Sequence, residues 1–230
     1  MTSPTQNSLW SSALAAADAY ARRTLEGREC GHDYFHADRV RRTALRLHQA
    51  EGAGAANAGV IELAALLHDV ADPKVVPDVA AAQKDLKDFL RGSGLSSADI
   101  LHVISILEGM SFGKELAGIQ AEKTVEFQIV QDADRLDALG AIGIARCFAY
   151  GGSRNQALYD PSIPARTVMD NKAYRGEKSS SLNHFPEKLF LLKDRMNTDT
   201  AKRWAEGRSA FLRDYYDRFL AEWDGDDFLG

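Results

Sequence analysis

A helix can be apolar on every side only if other helices surround it, and this chain contains two such segments. In residues 61–71 (IELAALLHDVA) apolar side chains cover nearly the whole helical circumference, and His68 and Asp69 go in with them. In residues 125–144 Val125, Phe127, Ile129, Val130, Ala133 and Leu136 do the same around Asp132, Asp134 and Asp137. A carboxylate in such surroundings is costly unless its pKa shifts, it meets a basic partner, or it binds a cation. Two buried acidic positions far apart in sequence, one beside a histidine, fit a shared metal better than two separate ion pairs. Adjacent helical residues point about 100° apart, so His68 and Asp69 can flank an ion only from the angle between them. Further ligands must come from other helices, and His36 and Asp132 are the obvious suppliers.

The rest of the chain agrees with a helical fold. Apolar residues recur at helical spacing in almost every long segment, and none alternates as a strand would. The pattern predicts helices over about residues 8–26, 36–51, 57–71, 78–91, 96–109, 122–149, 184–196 and 198–223. Between 151 and 182 the chain is rich in Gly, Ser, Pro, Asn and charge, and reads as a long loop. The expectation is an all-α, single-domain bundle over 1–230, with a metal-binding core at about 20–150 and the loop and C-terminal helices over 151–223.

Several function classes fall away. The net charge of −5 argues against a protein that coats nucleic acid, whose affinity comes from basic residues displacing counterions. No apolar run approaches the roughly 20 residues of a membrane-spanning helix. The N-terminus has no basic start followed by a continuous apolar stretch, so a cytoplasmic location is expected. Cys30 and Cys147 are too few for a disulfide framework and read as ordinary thiols. Neither Gly-rich stretch resembles a phosphate-cradling loop, so phosphate would be held by a metal and by side chains.

His36 in GHDYFHADRV, the His68-Asp69 doublet in LLHDVAD and Asp132 in QDADRLDALG together resemble the His, His-Asp, Asp pattern of the HD-domain phosphohydrolase superfamily. The run from Asp132 to Gly152, with the later NHFPEKLFLLKDRMNT, is similar to a bacterial HD subfamily resembling nucleoside triphosphate pyrophosphohydrolases. The resemblance covers roughly residues 20–223. It implies one divalent ion held by His36, His68, Asp69 and Asp132. Manganese, nickel, cobalt, iron, zinc and magnesium all stay open, since mixed nitrogen and oxygen ligation does not choose among them. It implies hydrolysis of a small phosphorylated substrate, first of all a (deoxy)nucleoside triphosphate to monophosphate and pyrophosphate. Phosphomonoester, cyclic-nucleotide and guanosine-polyphosphate hydrolysis stay open as alternatives, as does a homodimer.

Around that set, Asp69 and Asp72 are the candidate catalytic acids. Asp72, three residues past Asp69, is read on the same helix face, able to orient or deprotonate a water; its competing role is hydrogen bonding at a helix end. In guanosine tetraphosphate hydrolases of the superfamily a second acid follows directly, and here Pro73 takes that place. His32, Lys74, Arg135, His184 and Lys188 are candidate substrate contacts. Arg154, Arg166, Lys172, Arg175 and Lys178 add positive charge, and Tyr150, Tyr159 and Tyr174 could stack on a base. Arg39 reads as an ion-pair partner, and Asp134 and Asp137 as buried partners of arginines or helix ends. The diiron oxygenases of this scaffold need extra histidines between the doublet and the last aspartate. Only His102 is available, and amid Ile100, Leu101, Val103 and Ile104 it reads as a core or boundary residue. A noncatalytic nucleotide-binding remnant would be expected to have lost a ligand.

Overall fold

The computed structural model describes residues 4–28, 31–52, 54, 56–110, 122–166 and 179–228, and among them there is no strand. The helices are α1 (Pro4–Leu25), α2 (Tyr34–Ala50), α3 (Ala58–Leu67), α4 (Val79–Arg91), α5 (Ser97–Gly109), α6 (Val125–Asp137), α7 (Gly140–Ser153), α8 (Phe190–Leu192) and α9 (Asp199–Asp224). A π turn, Phe185–Leu189, precedes α8, and a 3-10 turn, Lys193–Arg195, follows it. No described helix is long and apolar enough to cross a membrane. The chain forms two compact units, Met1–Asp134 and Arg135–Gly230.

The N-terminal unit is built around α3. Val60, Ile61 and every residue from Leu63 to Leu67 are buried, and α1, α2 and α5 pack against the helix. Burying each of its larger side chains contributes about 1.5–3 kcal/mol. Helix starts follow local chemistry. Asp33 accepts from the His36 amide at 2.9 Å, Asn57 from Gly59 and Val60, Asp78 from Ala81, and Ser96 from Asp99. Each cap occupies an amide that the first helical turn leaves without a partner.

Helix α3 stops at Leu67, short of the expected 71, and Pro73 disfavours helical backbone at Asp72, so the helix does not resume beyond the turns. His68 to Ala71 are turns, closed by bonds from the Val70 amide to the Leu67 carbonyl and from the Asp72 amide to the Asp69 carbonyl.

Close packing of α1 on α3 depends on Gly59, where an added Cβ would lie 2.5 Å from the Trp10 ring. Replacing Gly59 with Ala is expected to cost about 1–3 kcal/mol despite the gain in helix propensity. Urea unfolding of G59A alone and with W10L checks this: the cost should shrink in the double variant, and equal costs would contradict it.

In the C-terminal unit α7 packs on α9. Phe185, fully buried, stacks on Tyr215 at 6.0 Å between ring centroids, and Phe148 stacks on Phe219 at 6.0 Å. The single helix expected over 122–149 is two. Leu139 is extended and Gly140 has φ +69°, a left-handed conformation that glycine adopts without strain. Arg208 crosses this break and donates to the Leu136 carbonyl, which also accepts the Leu139 amide at 3.2 Å.

Parts of the expected loop are ordered. Residues to Ser153 belong to α7, and the Ser181 and Leu182 amides bond the Ala157 and Leu158 carbonyls at 2.9 Å. Glu187, completely buried, receives the Arg166 guanidinium on both oxygens at 2.9 and 2.6 Å. It also accepts the Arg166 amide at 3.0 Å and the Ser179 hydroxyl at 3.2 Å. Asn183 adds a bond to the Ile163 carbonyl at 2.8 Å. Lys172, Tyr174, Arg175, Lys178 and Cys30 lie outside the described residues. Cys147 is a free thiol that donates to the Ser181 carbonyl at 3.2 Å, and burial pushes its pKa up to about 12.

Candidate metal centre

The first turn of α2 and the turn after α3 bring three side chains together. His36, His68 and Asp69 each offer a ligand atom, all within 4.8 Å of one another. The two imidazole Nε2 atoms are 3.1 Å apart, and Asp69 Oδ2 is 3.4 Å from each. His68 Nδ1 lies 2.9 Å from the Ala65 carbonyl oxygen, which can only accept, so Nδ1 carries a proton, and in the neutral ring it is Nε2 that offers a lone pair inward. Asp33 fixes the other histidine by its cap bond to the His36 amide.

The fourth side of the cluster is Asp134, whose Oδ1 is 3.4 Å from His36 Nε2 and 3.8 Å from His68 Nε2. The expected residue was Asp132. It is fully buried on α6. Residues two apart on an α-helix point about 200° apart, so α6 turns only one of the two towards the histidines. Asp134 was expected to be a buried partner of an arginine or a helix end, and instead lies beside the two imidazoles. Asp137 does follow that expectation, pairing with Arg146 at 3.0 Å.

The electrostatics of the cluster fit a cation. Burial acts to lower the His68 pKa, but Asp69 and Asp134 override it and raise the group above its ordinary value. Burial acts to raise the Asp69 carboxyl, yet His68 and His36 hold it well below the usual range; Asp134 is lowered by the same imidazoles. Asp69 Oδ2 is nonetheless buried without a hydrogen bond, and an acceptor left so is expensive. Two carboxylates and two inward imidazoles form a donor set in search of positive charge, and a divalent ion with mixed nitrogen and oxygen ligation suits it.

The other expected site residues divide by unit. His32 lies before α2, its ring centroid 6.2 Å from that of His36, and Lys74 Nζ is 3.5 Å from His32 Nε2. Asp72 is not on a shared helix face with Asp69. It lies in the turn beyond α3, where its Oδ1 accepts from the Lys74 amide at 2.8 Å. In the C-terminal unit Arg135 is buried and donates to the Arg195 carbonyl. His184 precedes the π turn with its amide bonded to the Ser181 carbonyl, and Lys188 is half-buried within that turn. Arg166 is committed to Glu187, Tyr159 packs edge-on against Trp223 at 5.2 Å, and the Arg154 guanidinium sits 5.4 Å over the Tyr150 ring. His102 bonds the Thr124 hydroxyl at 3.0 Å and lies 3.8 Å from Glu126, away from the cluster, as expected of a boundary histidine. Half-buried Arg39 has its own polar partner. The roles of Asp33 and of the Ala65 carbonyl were not read from sequence. A short acidic residue three before His36 was a visible capping signal; nothing local marks Ala65.

Comparison with known proteins gives the family. The HD domain family model matches residues 34–139. The YpgQ protein of Bacillus subtilis is 36% identical over 182 residues, covering 79% of this chain and 80% of that protein. Its crystal structure in complex with ADP matches at TM-score 0.69 and 32% identity, over 91% of this chain and 96% of that one. A Lactobacillus plantarum protein of known structure is 41% identical, with TM-score 0.84 over 98% of this chain and all of that one. An HD-superfamily hydrolase from Bacillus thuringiensis is 39% identical, with TM-score 0.68 over 94% and 98% of the two chains. With the histidine and aspartate cluster in place on these helices, the chain belongs to the HD-domain superfamily of metal-dependent phosphohydrolases.

Proposed function

We propose that the chain hydrolyses a (deoxy)nucleoside triphosphate to the monophosphate and pyrophosphate, at a centre where His36, His68, Asp69 and Asp134 hold one divalent ion. The observation that carries this reading is the buried Asp69 Oδ2, which has no hydrogen bond and faces two imidazole nitrogens at 3.4 Å. A divalent ion held there supplies Lewis-acid polarisation of a phosphoryl oxygen and a lowered pKa for water.

The chain's own residues supply orientation and charge. The Ala65 carbonyl fixes the His68 tautomer, the Asp33 cap fixes the turn that carries His36, and Lys74 with His32 places positive charge beside the cluster, suited to a phosphate chain. A nucleotide is favoured over other phosphorylated metabolites because the YpgQ relative has been crystallised with ADP.

Chelation followed by readdition of manganese, nickel or cobalt with a panel of nucleoside and deoxynucleoside triphosphates tests the reading. Chelated protein should be inactive, and one of the ions should restore release of pyrophosphate. Release of neither pyrophosphate nor phosphate under any ion removes the proposed activity; release of phosphate with a nucleoside diphosphate left behind redirects it to cleavage of the terminal phosphoanhydride.

A further inference from the structure

We infer that Asp72 is a positioning residue, whose side chain folds the turn that delivers the Lys74 ammonium to the phosphate chain of the substrate. The inference rests on reading the His36, His68, Asp69 and Asp134 cluster as a phosphohydrolase centre. Asp72 begins a tight turn with Pro73 at its second position, an arrangement that suits both residue types. The Asp72 carbonyl accepts the Val75 and Val76 amides at 2.9 and 3.0 Å, and its Oδ1 accepts the Lys74 amide at 2.8 Å. Buried Val75 anchors the far side of the turn.

The result is directional. Lys74 is exposed and separated from the doublet by only four residues, yet its Nζ comes back to 3.5 Å from His32 Nε2, and the His32 ring centroid is 6.2 Å from that of His36. For Lys74 to donate there, His32 Nε2 must carry the lone pair, so the histidine acts as a rest for the ammonium. A phosphate oxygen arriving at the cluster is a stronger, charged acceptor than a neutral imidazole nitrogen.

Two roles for Asp72 give opposite signs in one measurement. If Asp72 acts only as a free carboxylate, removing its negative charge should tighten binding of an anion nearby. If it acts through Lys74, removing its oxygen should loosen binding, while an amide that keeps the accepting oxygen should not. Inorganic pyrophosphate is the probe, titrated calorimetrically into the manganese-loaded full chain, with melting temperature recorded for each variant. Lys74→Met should weaken pyrophosphate about ten-fold, as expected for loss of one charge-assisted contact. Asp72→Ala should weaken it to a similar extent, and Asp72→Asn should bind at least as tightly as the unaltered chain. The K74M substitution is on an exposed side chain and reports even if D72A folds poorly.

The inference is overturned if D72A binds pyrophosphate as well as or better than the unaltered chain, if D72N falls together with D72A, or if K74M changes nothing. These outcomes are separate from the nucleotide panel: absence of turnover there removes the proposed reaction, whereas the affinity pattern reports on Asp72 and Lys74 alone.

Discussion

Replacing Asp69 with Ala is expected to remove bound metal and turnover together. Its carboxylate lies 3.4 Å from both imidazole nitrogens, and its buried Oδ2 has no other partner. Removal therefore takes away a ligand and half of the negative charge that the cluster offers a cation. Asp134→Ala should act in the same direction, whereas Asp132→Asn should retain metal, because Asp134 Oδ1 lies 3.4 and 3.8 Å from the imidazole nitrogens and a residue two positions earlier on a helix points about 200° from it. Metal content by elemental analysis after dialysis, read beside pyrophosphate release, checks all three. A D69A protein that keeps its ion, or a D132N protein that loses it while D134A does not, would contradict the assignment.

The second large effect is on stability, in the C-terminal unit. Arg166→Ala should destabilise the protein by about 3–5 kcal/mol, the scale seen when one partner of a buried ion pair is removed. Glu187 is wholly buried, and without the guanidinium its carboxylate would keep only the Arg166 amide and the Ser179 hydroxyl. Replacing both partners together, as R166M/E187Q, should cost less than R166A alone, since no buried charge is then left without a counterpart. Chemical denaturation of the three proteins makes the comparison, and an R166A protein within 1 kcal/mol of the unaltered chain would sink the argument.

What could be read from the sequence was whatever is decided locally. Asp33, Asn57, Asp78 and Ser96 begin their helices because each satisfies amides two or three residues ahead, and the unbroken apolar run of α3 announced its burial. The end of α3 was misplaced because the apolar period runs on through Val70 and Ala71, whereas the backbone beyond Leu67 closes in turns. The break between α6 and α7 was hidden in the same way, by apolar neighbours on both sides of Gly140. Other features had no local signal. The sequence DADRLD offers three carboxylates on one helix, and which of them faces His36 is set by the rotation of α6 in the packed protein. Arg166 and Glu187 are 21 residues apart, with no periodicity to connect them.

The early end of α3 has a consequence for how the centre comes into being. A doublet in mid-helix would have both side-chain directions dictated by helical pitch, but His68 caps the end of α3 and Asp69 lies in the turns beyond it, which close on the Leu67 and Asp69 carbonyls. The approach of that imidazole and that carboxylate to one point is thus set where a helix gives way to a turn, a place at which neighbouring residues need not diverge by a full helical step.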